Sequence, residues 1–68
     1  MTATELLDTI LRAVRQRIVA DRVSIREMAR QTGVSASAVS RFVTEQSVPD
    51  VGTLLTLADW AGLDIHVD

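Results

Sequence analysis

Apolar residues in the first third of the chain recur at intervals of three or four positions. They are Leu6, Leu7, Ile10, Leu11, Val14 and Ile18. This interval places them on one face of an α-helix, the face that a core would cover. Thr2 and Glu5 have the spacing of a capping box, in which the two side chains bond free amides at a helix start. The pattern therefore predicts a first helix over residues 3–20.

A second capping box, formed by Ser24 and Glu27, begins a shorter helical stretch. Gly33 follows it, at a point where a chain leaving a helix often needs the positive φ that glycine tolerates best. Ser35 can then cap a third helix. About three residues would join the two helices, so they must cross at a steep angle. The spacing predicts a helix-turn-helix over residues 24–43.

The third helix divides into an apolar and a polar side when it is rotated by about 100 degrees per residue. The side predicted to face the first two helices contains Ala38, Val39 and Phe42. The corner of the motif is completed by Met28, Ala29 and Val34. The opposite side contains Ala36, Ser37, Ser40 and Arg41, with Ser35 at the N-terminus. This polar side is predicted to be exposed.

The last third of the chain predicts a fourth helix and a short extended tail. Asp50 is expected to cap the helix and Gly62 to end it. The residues expected on its buried arc are Val51, Leu54, Leu55, Leu57, Ala58 and Ala61. Trp60 lies nearly opposite Val51, so it is predicted to point away from the core. Residues 63–68 alternate apolar and polar positions, as in a strand that packs back on the chain or pairs with another chain.

Together these elements predict an all-α fold, a compact four-helix domain with a short extended or β tail. Sixty-eight residues allow one domain, spanning residues 1–68, with a small core. A catalytic cleft is not expected at this size, so the chain is not predicted to be an enzyme. No Cys is present, and His66 has no second His to complete a metal site, so no metal or cofactor is predicted. No apolar run is long enough for a membrane span or signal peptide, and a cytoplasmic location is the default expectation.

Charge is distributed unevenly along the chain, whose formal net charge is -2. All seven cationic side chains are arginines between positions 12 and 41, where Asp21 and Glu27 are the only acids. Residues 50–68 contain aspartates and neither Lys nor Arg. One end of the molecule should therefore be basic and the other acidic, a polarity that suits a DNA-binding protein. The alternative is the ordinary solvated surface of a small domain.

The helix-turn-helix segment resembles that of the phage Cro and repressor class of DNA-binding domains, also called lambda-repressor-like. Ser40-Arg41-Phe42 is similar to the Ser-Arg-Ile that closes the second motif helix of that family, and Pro49 lies where the family has a loop proline. The leucine-rich stretch of residues 54–58 resembles the family's next helix. One departure follows the second motif helix, where the family usually has Asn-Gly and a cation but this chain has Thr44-Glu45-Gln46-Ser47.

The resemblance implies that the third helix contacts base edges in the major groove and that the start of the second helix lies against the DNA backbone. The implied DNA contacts are Arg26, Ser35, Ala36, Ser37, Ser40, Arg41, Thr44 and Gln46. Arg41 is the one residue of the third helix able to bind guanine through two hydrogen bonds, and Ala36 could contact a thymine methyl group. Alternatively, Arg26 pairs with Glu27, and the small residues are only caps and spacers. Arg12, Arg15 and Arg30 are interpreted as solvated surface residues.

The resemblance further implies a sequence-specific transcriptional regulator that binds double-stranded DNA. The expected protein is a small Cro-like or repressor-like protein of a bacterium or its phage, which blocks polymerase by occupying an operator. The alternative is a protein-binding module of the same fold, such as an antirepressor, which the net acidity and the absent loop cations favour.

A homodimer is also predicted, because two helix-turn-helix units can bind two half-sites one helical turn apart. The predicted contacts are Trp60, Leu63, Ile65 and Val67. A large exposed aromatic side chain is often an interface anchor, and the alternating tail could pair across a two-fold axis. The alternative is that Trp60 and the tail fold onto their own subunit and cover the bottom of the first helix.

Overall fold

The computed structural model describes residues 2–45 and 47–63, and these residues form four helices. The helices are α1 (Ala3–Asp21), α2 (Ile25–Thr32), α3 (Ala36–Glu45) and α4 (Val51–Trp60). No strand occurs in the residues described. The prediction of an all-α, four-helix fold is therefore confirmed, and the expected strand-like pattern of residues 64–68 lies outside the described residues.

Polar side chains cap the start of each helix, as their spacing predicts. The caps are Thr2, Ser24, Ser35 and Asp50, and each accepts a hydrogen bond of 3.0 to 3.2 Å from the amide three residues later. These bonds satisfy amides that have no partner within the helix. Two donors from Thr53, its hydroxyl and its amide, lower the pKa of the Asp50 carboxyl below its usual value. The capping interactions explain why the element starts could be located from sequence alone.

A residue in the left-handed backbone conformation follows each of the helices α1, α2 and α4. Gly33 has a φ of 78° after α2, and Gly62 has a φ of 86° after α4. Arg22 has a φ of 53° after α1 and is the one non-glycine residue with a positive φ among those described. The Val23 amide donates to the Ile18 carbonyl at 3.0 Å across this turn, an arrangement that usually has glycine at the position of Arg22. The role of Arg22 at this helix end was not predicted.

All four helices contribute to one buried cluster. Its members are Ile10, Leu11, Val14, Met28, Val39, Phe42, Leu57, Ala58 and Trp60. Around this cluster pack half-buried apolar residues of the predicted stripes, among them Leu6, Leu7 and Ile18 from α1. The expected buried faces of α1, α2 and α3 are thus confirmed.

The predicted orientation of α4 is wrong at two positions. Val51 was expected in the core but is 70% exposed, and Trp60 was expected in solvent but is 9% exposed. The two errors have one cause. The prediction places Val51 on the buried side of α4 and infers the direction of Trp60 from its angle to Val51 around the helix axis. This residue lies in the first turn of α4, beyond the edge of the core. A residue nearly half a rotation away from Val51 therefore faces inwards.

Trp60 packs against two other helices of its own chain. Its indole Nε1 donates to the Gln31 side-chain oxygen of α2 at 2.7 Å, and the Arg17 guanidinium of α1 lies 4.2 Å from the ring centroid. Trp60 therefore joins α4 to α1 and α2, and the prediction that it is an exposed dimer anchor is wrong. Leu63 is half-buried against the same core, whereas Ile65 and Val67 lie outside the described residues.

Candidate nucleic-acid interface

An open groove of about 480 Å³ lies between the start of α2 and the outward side of α3. It is lined by Ile25, Arg26, Ala36, Ser37, Ser40 and Arg41. Five of these six residues were predicted to contact DNA from the sequence, and the fold brings them together on one surface. Ile25 was not predicted, because the first residue after the Ser24 cap gives no polar pattern to mark it.

The outward side of α3 is fixed by the residues on its inward side. Val39 and Phe42 are essentially inaccessible to solvent, and Met28 of α2 is buried against the same core. Because these side chains set the rotation of α3, Ser37 and Arg41 are exposed on its opposite face. The surface that lines the groove is therefore positioned by core packing, in agreement with the predicted rotation.

The three remaining predicted contacts differ in how far the structure describes them. Ser35 is exposed, and its hydroxyl accepts from the Ala38 amide at 3.2 Å as the cap of α3. Thr44 is exposed in the last turn of α3, and its hydroxyl donates to the Ser40 carbonyl at 2.6 Å. Gln46 lies outside the described residues. Ser35 and Thr44 are on α3 or at its start but do not line the groove itself.

Among the residues that the structure describes, three arginines form ion pairs on the surface. Arg12 binds Asp8 at 3.0 Å, Arg17 binds Asp21 at 3.2 Å, and Arg30 binds Glu27. Each pair is made within one helix, where residues three or four positions apart are neighbours. These pairs support the interpretation of Arg12 and Arg30 as solvated surface residues.

Glu27 is engaged by Arg30 and Gln31, not by Arg26. The Gln31 side-chain amide donates to the Glu27 carboxylate at 3.1 Å, and both hydrogen bonds lower the pKa of that carboxyl. The same ion pair raises the pKa of Arg30. The alternative role considered for Arg26, pairing with Glu27, is therefore not the arrangement found.

Three arginines form neither an ion pair nor a side-chain hydrogen bond within residues 2–45 and 47–63. They are Arg22, Arg26 and Arg41, and all three are exposed. Arg26 and Arg41 line the groove from different helices, and no acidic side chain of the described part of the chain lines it with them. Arg22 does not line the groove and lies at the end of α1, four residues before Arg26.

Arg15 has a role that the sequence interpretation missed. Its Nε and Nη2 atoms both donate to the Val43 carbonyl, at 3.1 and 2.6 Å, and thereby join α1 to the last turn of α3. Arg15 is half-buried, so the interpretation of this residue as a solvated surface group is wrong. Its position outside the apolar stripe of α1 shows only that it is not a core residue.

A family model described as helix-turn-helix, which covers the lambda-repressor and Cro class, matches residues 11–65. This match spans all of α2, α3 and α4 and about half of α1. The chain belongs to this helix-turn-helix family. No curated protein and no solved structure matches the chain.

A helix-turn-helix protein of this kind presents donors suited to DNA on the surface just described. An arginine guanidinium can bind guanine through two hydrogen bonds or a phosphate as a planar fork, and serine hydroxyls can donate or accept. Within residues 2–45 and 47–63, no three His, Cys, Asp or Glu residues are grouped closely enough to hold a metal ion. None of the four helices combines the length and the apolar character needed to cross a membrane.

Proposed function

We propose that this helix-turn-helix protein is a sequence-specific DNA-binding transcriptional regulator that places α3 in the major groove. The observation that carries the proposal is the groove in which Arg26 and Arg41 are exposed without an acidic partner. An arginine that already forms an ion pair must break it to bind DNA, whereas these two arginines have no such ion pair among the described residues. The match to the helix-turn-helix family supports DNA binding in general.

Within this proposal the two arginines act differently. Arg41, in the middle of the exposed side of α3, binds a base edge, with guanine as the preferred partner. Arg26, in the first turn of α2, binds a backbone phosphate and sets the register of the protein on the duplex. Ser37 and Ser40 contact bases or phosphates beside Arg41, and Ala36 contacts a thymine methyl group. Ser35, Thr44 and Gln46 complete the proposed contact set at the two ends of α3.

The biological role that we propose is that of a small Cro-like or repressor-like protein of a bacterium or phage. Such a protein represses transcription by occupying an operator, because its body then blocks access of polymerase to the promoter. This part of the proposal is supported by the family to which the chain belongs, which covers the lambda-repressor and Cro class.

We also propose that the protein binds its operator as a homodimer. With few unpaired arginines on one subunit, a second subunit would supply a second half-site and so raise both affinity and specificity. Since Trp60 is buried in its own subunit, the residues left from the contact set derived from the sequence are Leu63, Ile65 and Val67. Sedimentation of the full chain at tens of micromolar checks this, and a monomer there would remove the dimer from the proposal.

The experiment that tests the function starts by selecting bound sites from a random duplex pool. Affinity for the selected duplex and for a scrambled duplex is then measured at two salt concentrations. We expect tighter binding to the selected duplex, and a steep loss of affinity for both duplexes as salt rises. Failure to enrich any sequence, together with no salt-dependent binding, would contradict the proposal and favour a protein-binding module of this fold.

Two substitutions separate the proposed roles of the arginines. Arg41→Ala should weaken binding to the selected duplex by about 1 to 3 kcal/mol, the size of a lost base contact, with a smaller effect on the scrambled duplex. Arg26→Ala should weaken binding to both duplexes alike and reduce the salt slope by about one unit. Arg12→Ala is the matched control, because Arg12 pairs with Asp8 on α1 and does not line the groove. Equal losses on both duplexes from Arg41→Ala and Arg26→Ala would contradict this division of roles.

A further inference from the structure

The last turn of α3 is held by a side chain from a distant part of the sequence. Arg15 of α1 donates to the Val43 carbonyl through both Nε and Nη2, across a separation of 28 residues. The carbonyls of the last helical turn have no partners within the helix, and this fork satisfies one of them. The negative end of the α3 dipole lies at the same place, so the arginine charge strengthens the contact.

This contact lies two residues after Arg41, the residue to which the proposed function assigns the base contact. The start of α3 is fixed by its Ser35 cap, and its middle is fixed by the burial of Phe42. Beyond Phe42, the Val43 side chain is half-buried against the core, and the Ser47 amide donates to the Arg41 carbonyl at 3.2 Å. Arg15 supplies the hydrogen bonds that tie this last turn to another helix.

We propose that Arg15 is a positioning residue for DNA recognition, which fixes the direction of the C-terminal half of α3 and thereby the place of Arg41 in the major groove. The inference rests on the proposed function. Arg15 does not itself contact DNA in this account, since it is half-buried and its guanidinium is turned to the Val43 carbonyl. A base contact needs its two hydrogen bonds in register, so a small change in the direction of α3 weakens specific binding more than phosphate binding.

The test compares Arg15→Met, which keeps most of the aliphatic stem and removes both donors, with Arg15→Lys, which keeps the charge but has no planar fork. Arg12→Ala is again the matched control, since Arg12 lies on the same helix and is paired with Asp8. Each variant is first melted, and all binding is measured at a temperature where the variant is fully folded. If Arg15→Met does not fold, Arg15→Lys carries the comparison.

We expect Arg15→Met to weaken binding to the selected duplex by about tenfold, at the lower end of the loss of a base contact. Affinity for the scrambled duplex and the salt slope should stay unchanged, and Arg15→Lys should fall between wild type and Arg15→Met. In the free protein, amide NMR shifts should change at residues 41–45 for Arg15→Met and stay unchanged there for Arg12→Ala.

Two results would overturn the proposal. Equal losses on both duplexes with a shallower salt slope would mean that Arg15 binds phosphate itself. Unchanged preference for the selected duplex in a folded Arg15→Met protein would mean that the contact serves stability alone. The NMR comparison needs no DNA, so unchanged shifts at residues 41–45 overturn the positioning role even if wild type selects no duplex. In that last case the failure of the proposed function is seen separately, in the wild-type binding data.

Discussion

Two grooves of similar size on this small protein have opposite chemistry. The groove between α2 and α3, of about 480 Å³, is lined by two arginines, two serines, an alanine and an isoleucine. A second groove, of about 400 Å³, lies between the N-terminal halves of α1 and α4 and is lined almost entirely by alanine, leucine, isoleucine and valine. The polar groove is where we propose that DNA binds.

The two grooves also differ in whether apolar side chains lie beneath their surface or form it. The helices that form the polar groove bury Met28, Val39 and Phe42 almost completely on their inward sides. The apolar groove is lined by half-buried leucines and by Ile10, which is fully buried, and Val51 at its edge is 70% exposed. Fully buried side chains therefore support the surface that we propose to contact DNA. Recognition of a base edge requires side chains in fixed positions, and complete burial beneath them provides this.

The largest effect is expected from damage to the packing beneath the polar groove. Phe42→Ala should lower the free energy of unfolding by about 3 to 5 kcal/mol, through lost burial and the cavity left behind. A domain of this size has little more stability than that, so the variant should be largely unfolded. Chemical denaturation followed by circular dichroism measures the change. Arg41→Ala, one residue away on the exposed side, is the control and should change stability by less than about 0.5 kcal/mol.

A smaller effect is expected at the turn between α2 and α3. Gly33 has a φ of 78°, and a Cβ atom added there would meet nothing within 4 Å, so the cost of substitution comes from the backbone and not from a clash. Gly33→Val should lower the free energy of unfolding by about 1 to 3 kcal/mol, because β-branched residues are strained at positive φ. Gly33→Asn should cost less, since asparagine tolerates this conformation. Equal losses in thermal melting of the two variants would contradict a backbone origin.

The smallest effect is expected at Trp60, which joins α4 to α1 and α2. Trp60→Phe removes the Nε1 donor to Gln31 and should cost about 1 kcal/mol of stability, since the exposed Gln31 oxygen can bind water instead. Arg17→Ala removes the cation over the ring and should cost about 0.5 to 1 kcal/mol. Urea denaturation measures both. If Trp60→Phe leaves stability unchanged but alters sedimentation, Trp60 contributes to a subunit interface and not to the stability of its own subunit.

The fold could be predicted largely because its helix starts and ends are marked by local chemistry. Ser24 and Asp50 act within three residues of their own position, and so does the turn at Gly33. The outward set on α3 was predicted for a related reason, since Phe42 and its apolar neighbours show which side of that helix faces inwards.

Features that depend on distant parts of the chain could not be predicted in this way. The hydrogen bonds from Arg15 to Val43 and from Trp60 to Gln31 join residues 28 and 29 positions apart. Periodicity shows only which residues share a face of a helix. It does not show which face is turned towards the core. On α4 the prediction uses Val51 to mark the buried face, but Val51 lies beyond the edge of the core. The prediction for Trp60 is wrong for that reason.

The left-handed conformation of Arg22 offers a way to make this protein more resistant to heat. An arginine at positive φ carries strain that glycine does not, so replacement by glycine should make the domain more resistant to heat. A laboratory selection for survival at high temperature would be expected to enrich the Arg22→Gly substitution early. Such a selection would also discard an exposed guanidinium without an ion pair in the described chain, four residues before Arg26. A substitution selected for heat resistance would then also remove one positive charge from the part of the chain that precedes Arg26.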